Sequence, residues 1–249
     1  MRKWIVLLIL LLTSPCFAVD SVSGVNHPAA VNSVALPDKV CGVAGLAAGA
    51  GCPAGTYVFA YDGDHASGAG YACWNDGATN EDGTVSGATV SSAYVEFNAV
   101  DKYIEWNDQT VDDDVGTIWF DVYFSATTGT NLVFESYVDA NNKIQVYVSS
   151  ANALFGYHNG NNNPQTVGVG GIADATWQRV AYSWKTAATA SHAVNIGAAW
   201  TEIEEAIVSF SGAEGPLTVG EHGTGQAVTN TVRARNVYYV ESYKATDPM

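Results

Sequence analysis

The chain has 249 residues and a formal net charge of −15, from 25 acidic and 10 basic side chains. A nucleic-acid surface needs clustered Lys and Arg to displace counterions, and no such cluster occurs here, so nucleic acid is excluded as a partner. The length admits one large β-domain or two small ones, either able to bury a useful core.

In chain order, Arg2 and Lys3 precede an apolar run from Ile5 to Leu12, a Thr13-Ser14-Pro15 break and Cys16-Phe17-Ala18. A positive start, a short apolar run and small residues at the end predict a signal peptide over residues 1–18, cleaved after Ala18. The run is too short to span a bilayer, and no second run of spanning length follows. Lipid attachment at Cys16 is the rival reading, disfavoured by Pro15. The mature chain is thus expected to be secreted or held at the cell surface, without a membrane span.

Residues 19–55 are rich in Ala, Val, Gly, Ser and Pro and show no clear period, which predicts an N-terminal extension. Removal of Cys16 leaves Cys41, Cys52 and Cys73, an odd number. In an oxidising compartment Cys41 and Cys52 would close a short loop; pairing of Cys52 with Cys73 is the alternative. From Thr56 to the end, the texture is that of strands. Tyr57 to Tyr61 alternates and stops at Asp62-Gly63-Asp64, and a long Gly/Asn/Asp-rich loop is expected from His65 to Gly87. Strands follow at Tyr94 to Phe97 and Tyr103 to Trp106, then through the meander from Gly116 to Trp184, with turns at Thr127–Asn131, Asp139–Asn142 and Gly156–Pro164. Later strands are expected at His192–Ala198, Ala206–Phe210, Leu217–Val219 and Val232–Tyr243; Thr201 to Ala206 alone hints at a helix. Many short alternating runs between turn signals predict an all-β protein, an antiparallel two-sheet β-sandwich.

The order of these signals resembles the laminin-G-like, concanavalin A-like lectin/glucanase jelly roll in its bacterial secreted form. The resemblance covers roughly 56 to 245 and rests on several passages. Phe59-Ala60-Tyr61-Asp62 is the opening strand and acidic turn, and Val95 to Ile104 carries the F-x-x-x-D-x-Y-I pattern. Gly116 to Tyr123, Trp177-Gln178-Arg179-Val180-Ala181, Val194-Asn195-Ile196-Gly197 and Leu217-Thr218-Val219-Gly220 match later strands and turns. The resemblance implies a carbohydrate-binding or adhesion role, and a structural calcium. Yet Val232-Arg233-Ala234-Arg235 stands where the family's final strand often carries a calcium-binding Asp, and an arginine opposes a cation there. The glucanase pattern E-x-D-x-x-E is only partly matched by Glu202-Ile203-Glu204-Glu205, where Glu205 points to the other face.

Alternation assigns Ile118, Phe120, Val122 and Phe124 to the core and sets Trp119, Asp121 and Tyr123 outward. The same rule turns Glu135, Tyr137, Gln145 and Tyr147 outward, with Tyr157 and His158 on a loop at the rim. Aromatic rings stack on sugar faces while carboxylates and amides bind sugar hydroxyls, so these nine residues are the candidate ligand surface on the concave face of the meander. Asp121 and Glu135 are expected on adjacent strands, about 5 Å apart if in register, the spacing of a retaining glycosidase. Asp62 and Asp64 are the candidate calcium ligands, being paired oxygen donors in a turn. The expected function is a non-catalytic module that binds a glycan or an extracellular protein. A self-assembling structural subunit of an extracellular or envelope assembly is the alternative, and a glycan-degrading enzyme the third.

Overall fold

The computed structural model of the protein describes residues 84–90, 94–187, 189–197, 199–222 and 228–247, with backbone alone at 90 and 107–109. It also describes the backbone of short strands at 21–22, 25–26, 30–31, 34–35, 59–61, 69–74 and 77–82. The expected leader, Cys41, Cys52, Asp62 and Asp64 lie outside the described residues. The chain divides into two compact units, residues 1–50 and 51–249.

The first unit contains two antiparallel pairs: β1 (Ser21–Val22) with β2 (Val25–Asn26), and β3 (Ala30–Val31) with β4 (Val34–Ala35). The second opens with β5 (Phe59–Tyr61), β6 (Ala69–Trp74), β7 (Gly77–Asp82), β8 (Thr84–Ser86), β9 (Thr89–Val90) and β10 (Val95–Phe97). The central strands are β11 (Tyr103–Val111), β12 (Val115–Phe124), β13 (Asn131–Asp139), β14 (Asn142–Ser149), β15 (Ala153–Gly160) and β16 (Asn163–Gly170). The last are β17 (Trp177–Lys185), β18 (Ser191–Ile196), β19 (Ala199–Glu204), β20 (Gly215–Gly220) and β21 (Val232–Val240). No helix occurs among the described residues, and none there is long and apolar enough to cross a membrane.

Two antiparallel sheets form the sandwich. The ten-stranded sheet runs β19-β18-β17-β12-β21-β5-β6-β7, with β10 and β9 attached beside β21; the seven-stranded sheet runs β16-β15-β14-β13-β20-β11-β8. The chain crosses between sheets from β11 to β12 and again from β12 to β13, so neighbours in sequence face each other rather than pair. Burial follows the alternation. Ile118, Phe120, Val122 and Phe124 point inward with Val180, Tyr182, Trp184 and Tyr239, against Ile104, Phe134, Ile144, Val146, Val148 and Leu154 of the other sheet. Trp184 is stacked between Tyr182 at 5.3 Å and Tyr239 at 6.2 Å, and its indole N–H donates to the Asp112 carbonyl at 2.9 Å.

Four expectations change. The 65–87 region contains β6, β7 and β8 rather than one long loop; small and polar residues dominate these strands, and Tyr71, Trp74 and Val85 are too few to reveal a period. Glu202 and Glu204 lie on β19, so the helical hint is an edge strand, whereas Ala206 to Phe210 is irregular and tied down by the Asp113 carboxylate on the Phe210 N–H. Gly156 to Pro164 is mostly paired strand: β15 and β16 meet at a two-residue turn, Asn161-Asn162, with φ of 50° and 59°. Both central residues are left-handed, a pattern that Asn tolerates and Gly prefers. Asn162→Gly is therefore expected to raise stability by up to about 1 kcal/mol. A thermal melt showing no gain would contradict this account of the turn.

Candidate functional site

The outward candidates fall on two faces that point away from each other. Trp119, Asp121 and Tyr123 lie on the outer face of the ten-stranded sheet. Glu135, Tyr137, Gln145, Tyr147 and Tyr157 share the outer face of the seven-stranded sheet, as their cross-strand registers require. Asp121 and Glu135 are thus not on adjacent strands, and the carboxylate pair of a retaining glycosidase does not form between them. His158 is a further correction. It sits opposite Ile144 on the inner face, fully buried, with Nε2 3.1 Å from the Asp113 carbonyl. The reason is register: once residues 153–160 form a strand, alternation turns 158 inward and 157 outward.

On the ten-stranded face, β12 lies between β17 and β21, and this order assembles a group that no single strand shows. Tyr123 is opposite Trp177 on one side and Arg233 on the other. The Trp177 ring lies 5.7 Å from Tyr123 and 6.1 Å from Tyr94, which precedes β10. The Arg233 guanidinium sits over Tyr94 at 4.8 Å and Tyr123 at 5.0 Å; that of Arg235 sits over Trp177 at 4.3 Å. Arg233 Nε donates to Glu96 at 2.7 Å, and Arg235 Nε faces Asp121 at 3.4 Å. A bulge in β21, where Asn236 has φ of 49°, brings the Asn236 amide onto Asp121 as well, at 2.7 Å. Tyr94, Tyr123 and Trp177 are only partly buried.

The other half of this face is covered by the chain itself. Trp119 packs with Ala181, Tyr238 and Trp200 in a second apolar cluster. Residues 242–247 lie over it: the Trp119 indole N–H donates to the Ala245 carbonyl, the Lys244 N–H donates to Ser183, and Arg179 grips Asp247 through Nε and Nη2. Trp119 is outward, as alternation requires, but only 3% exposed.

The seven-stranded face carries a polar row, Thr84, Glu105, Thr218, Glu135, Gln145, Tyr157 and Thr166, one residue from each strand. Its acids are engaged. Glu135 accepts from Gln145 Nε2 at 2.8 Å and from the His222 N–H at 2.9 Å, while Glu105 lies 2.6 Å from His222 Nδ1. Glu135 is fully buried. At the far end Tyr147 stacks on Phe155 at 5.3 Å, and Lys143 lies over Tyr157. Burial pushes the Tyr147 and Tyr157 phenols above their ordinary range. No three His, Cys, Asp or Glu side chains converge on a metal position among the described residues.

Sequence reasoning passed over Tyr94, Trp177, Arg233 and Arg235 as a group. The signal available was Arg233 and Arg235 at alternate positions of one strand, hence on one face. Their aromatic partners come from strands that only the topology brings together.

No protein-family profile and no curated protein sequence matches the chain. Solved structures match by shape. The botulinum neurotoxin type G receptor binding domain superposes with TM-score 0.56 at 12% identity, covering 77% of this chain and 49% of that one. The binding domain of botulinum neurotoxin DC in complex with SialylT gives 0.56 and 12%, with coverages of 78% and 49%. The binding domain of Paraclostridial Mosquitocidal Protein 1 gives 0.57 and 10%, with 76% and 50%. What they share with this chain is the β-sandwich. The chain spans about half the length of these structures, and at such identities the likeness is one of fold alone.

Proposed function

We propose that the protein is an exported, non-catalytic carbohydrate-binding module of the laminin-G-like, concanavalin A-like class, and that it binds through the outer face of the ten-stranded sheet. The observation that carries this reading is the group of three partly exposed rings, Tyr94, Tyr123 and Trp177, held side by side with two guanidiniums lying over them. Aromatic rings offer apolar surface to the C–H face of a sugar, and the surrounding donors take its hydroxyls. Pairing with Glu96 and Asp121 fixes the arginines before any ligand arrives, which limits the entropy lost on binding. The fold supports the reading, since binding domains are built on this sandwich and one was solved with SialylT. The leader-like residues 1–18 supply the case for export.

A glycan array, run with and without calcium, tests the proposal. Tyr123→Ala and Trp177→Ala are each expected to weaken binding by about tenfold or more, as loss of a central aromatic contact does. Tyr147→Ala, on the opposite face, is expected to leave binding unchanged. The reverse pattern would move the site to the seven-stranded sheet; no glycan bound at all would remove the function.

A further inference from the structure

We infer that this face selects acidic sugars, those bearing a carboxylate, over neutral ones; the inference rests on the carbohydrate reading above and specifies its ligand class. Beyond Arg2, the sequence has three arginines, Arg179, Arg233 and Arg235. All three project from this one face, in a chain whose net charge is −15.

Each guanidinium has the same construction: it lies over aromatic rings and uses Nε on a carboxylate. Arg179 shows what such a group does with an acid. Its carbon lies 5.5 Å from the Trp119 ring and 5.3 Å from the Tyr238 ring, and it holds the Asp247 carboxylate through Nη2 at 2.8 Å and Nε at 3.1 Å. A carboxylate is therefore already seated on this face by an arginine stacked on rings.

Arg233 and Arg235 repeat the arrangement without the final step. Their Nε atoms are taken up by Glu96 and Asp121, but their Nη atoms make no hydrogen bond among the described residues. The side chains are 31% and 36% exposed. The Nη1–Nη2 edge of a guanidinium is a two-donor fork that matches the two oxygens of a carboxylate. The Tyr123 hydroxyl and the Trp177 indole N–H, both on the same patch, likewise have no hydrogen bond among the described residues. A sugar ring seated on Tyr123 and Trp177 would thus put a pendant carboxylate within reach of the forks, and its hydroxyls beside the remaining donors. A neutral sugar would keep the stacking and lose the fork.

The experiment compares two matched pairs of soluble probes by calorimetry: sialyllactose with lactose, and an oligogalacturonate with its methyl ester. The first tests a carboxylate on a terminal sugar, the second a carboxylate on every unit. At least one acidic member is expected to bind about tenfold tighter than its neutral partner, a ratio equal to about 1.4 kcal/mol. The preference should disappear in the double variant Arg233→Gln, Arg235→Gln. The double Arg→Lys variant keeps the positive charges opposite Glu96 and Asp121 and should lose most of the preference, because an ammonium has no fork. Tyr123→Ala should weaken acidic and neutral members alike. Thermal melts of all variants verify folding. Equal affinity within both pairs, or a preference that survives both double variants, overturns the inference. Binding of neutral members as tight as that of their acidic partners, and abolished by Tyr123→Ala, would refute acid selection and leave the carbohydrate reading standing; failure of every probe would sink both.

Discussion

Gly156→Val is expected to destabilise the domain severely. Gly156 lies on the inner face of β15, between Val146 and Val167 in register, directly under the Tyr182 ring of the opposite sheet. A Cβ added there would stand 2.0 Å from Tyr182 Cδ2 and 2.1 Å from Cε2. The ring cannot retreat. It is fully buried, stacked on Trp184, and its hydroxyl lies 3.2 Å from His192 Nδ1. Interiors packed at crystal density transmit such a clash into strand separation or broken hydrogen bonds. A loss of about 4 kcal/mol or more is expected, a large share of the roughly 5–15 kcal/mol that holds a typical domain folded. Urea titration against the parent reads it directly; a cost below about 1 kcal/mol would mean that the sheets are not in contact at this point.

Acidification from neutral pH should unfold the protein progressively between pH 6.5 and about 4. His158 and His192 project into the interior from opposite sheets, both fully buried, and burial pushes each down from 6.5 to about 4. The groups facing them are Asp113, Asp114, Tyr182 and Glu205: His158 Nε2 meets the Asp113 carbonyl, and His192 Nε2 lies 3.3 Å from Glu205. His158 Nδ1 has no hydrogen-bond partner among the described residues. The unfolded chain protonates these imidazoles near pH 6.5 and the folded chain resists until about 4. Between those values the unfolded state holds more protons, so stability falls as pH falls, by up to about 3 kcal/mol for each histidine once both limits are passed. Asp113 acts with the opposite sign. Burial raises its carboxyl, so the folded state takes that proton more readily, offsetting part of the loss at the acid end. Melting temperature measured across this range should drop steeply in the parent and less in His158→Gln or His192→Gln. A flat profile in the parent would show that neither ring is held neutral by burial.

The alternation was legible wherever strands were lined with bulky side chains. Ile118, Phe120, Val122 and Phe124 point inward as their spacing requires, and Tyr123, Gln145 and Tyr147 point outward. It failed where side chains were small or polar. The β6–β7 hairpin is mostly small and polar, with Tyr71 and Trp74 its only large rings, and the Asn-rich run after Tyr157 looks like a loop while being the end of one strand and the start of the next. Asn and Gly signal turns because they tolerate left-handed backbone, but between Tyr157 and Pro164 only Asn161 and Asn162 use that freedom.

The sequence by itself determined the all-β sandwich and the facing of its central strands, because burial imposes a period of two on any half-buried strand. It also confined the arginines beyond the leader to two strands, β17 and β21. Only the tertiary structure decided which strands are neighbours, and so which outward residues meet. Strands pair through backbone N–H and C=O groups that every residue except proline carries alike, so their order is set by the packing of the whole sandwich rather than by any local signal. That order separates Asp121 from Glu135 onto opposite faces, turns His158 into the core, and places Arg233, Tyr123 and Trp177 side by side.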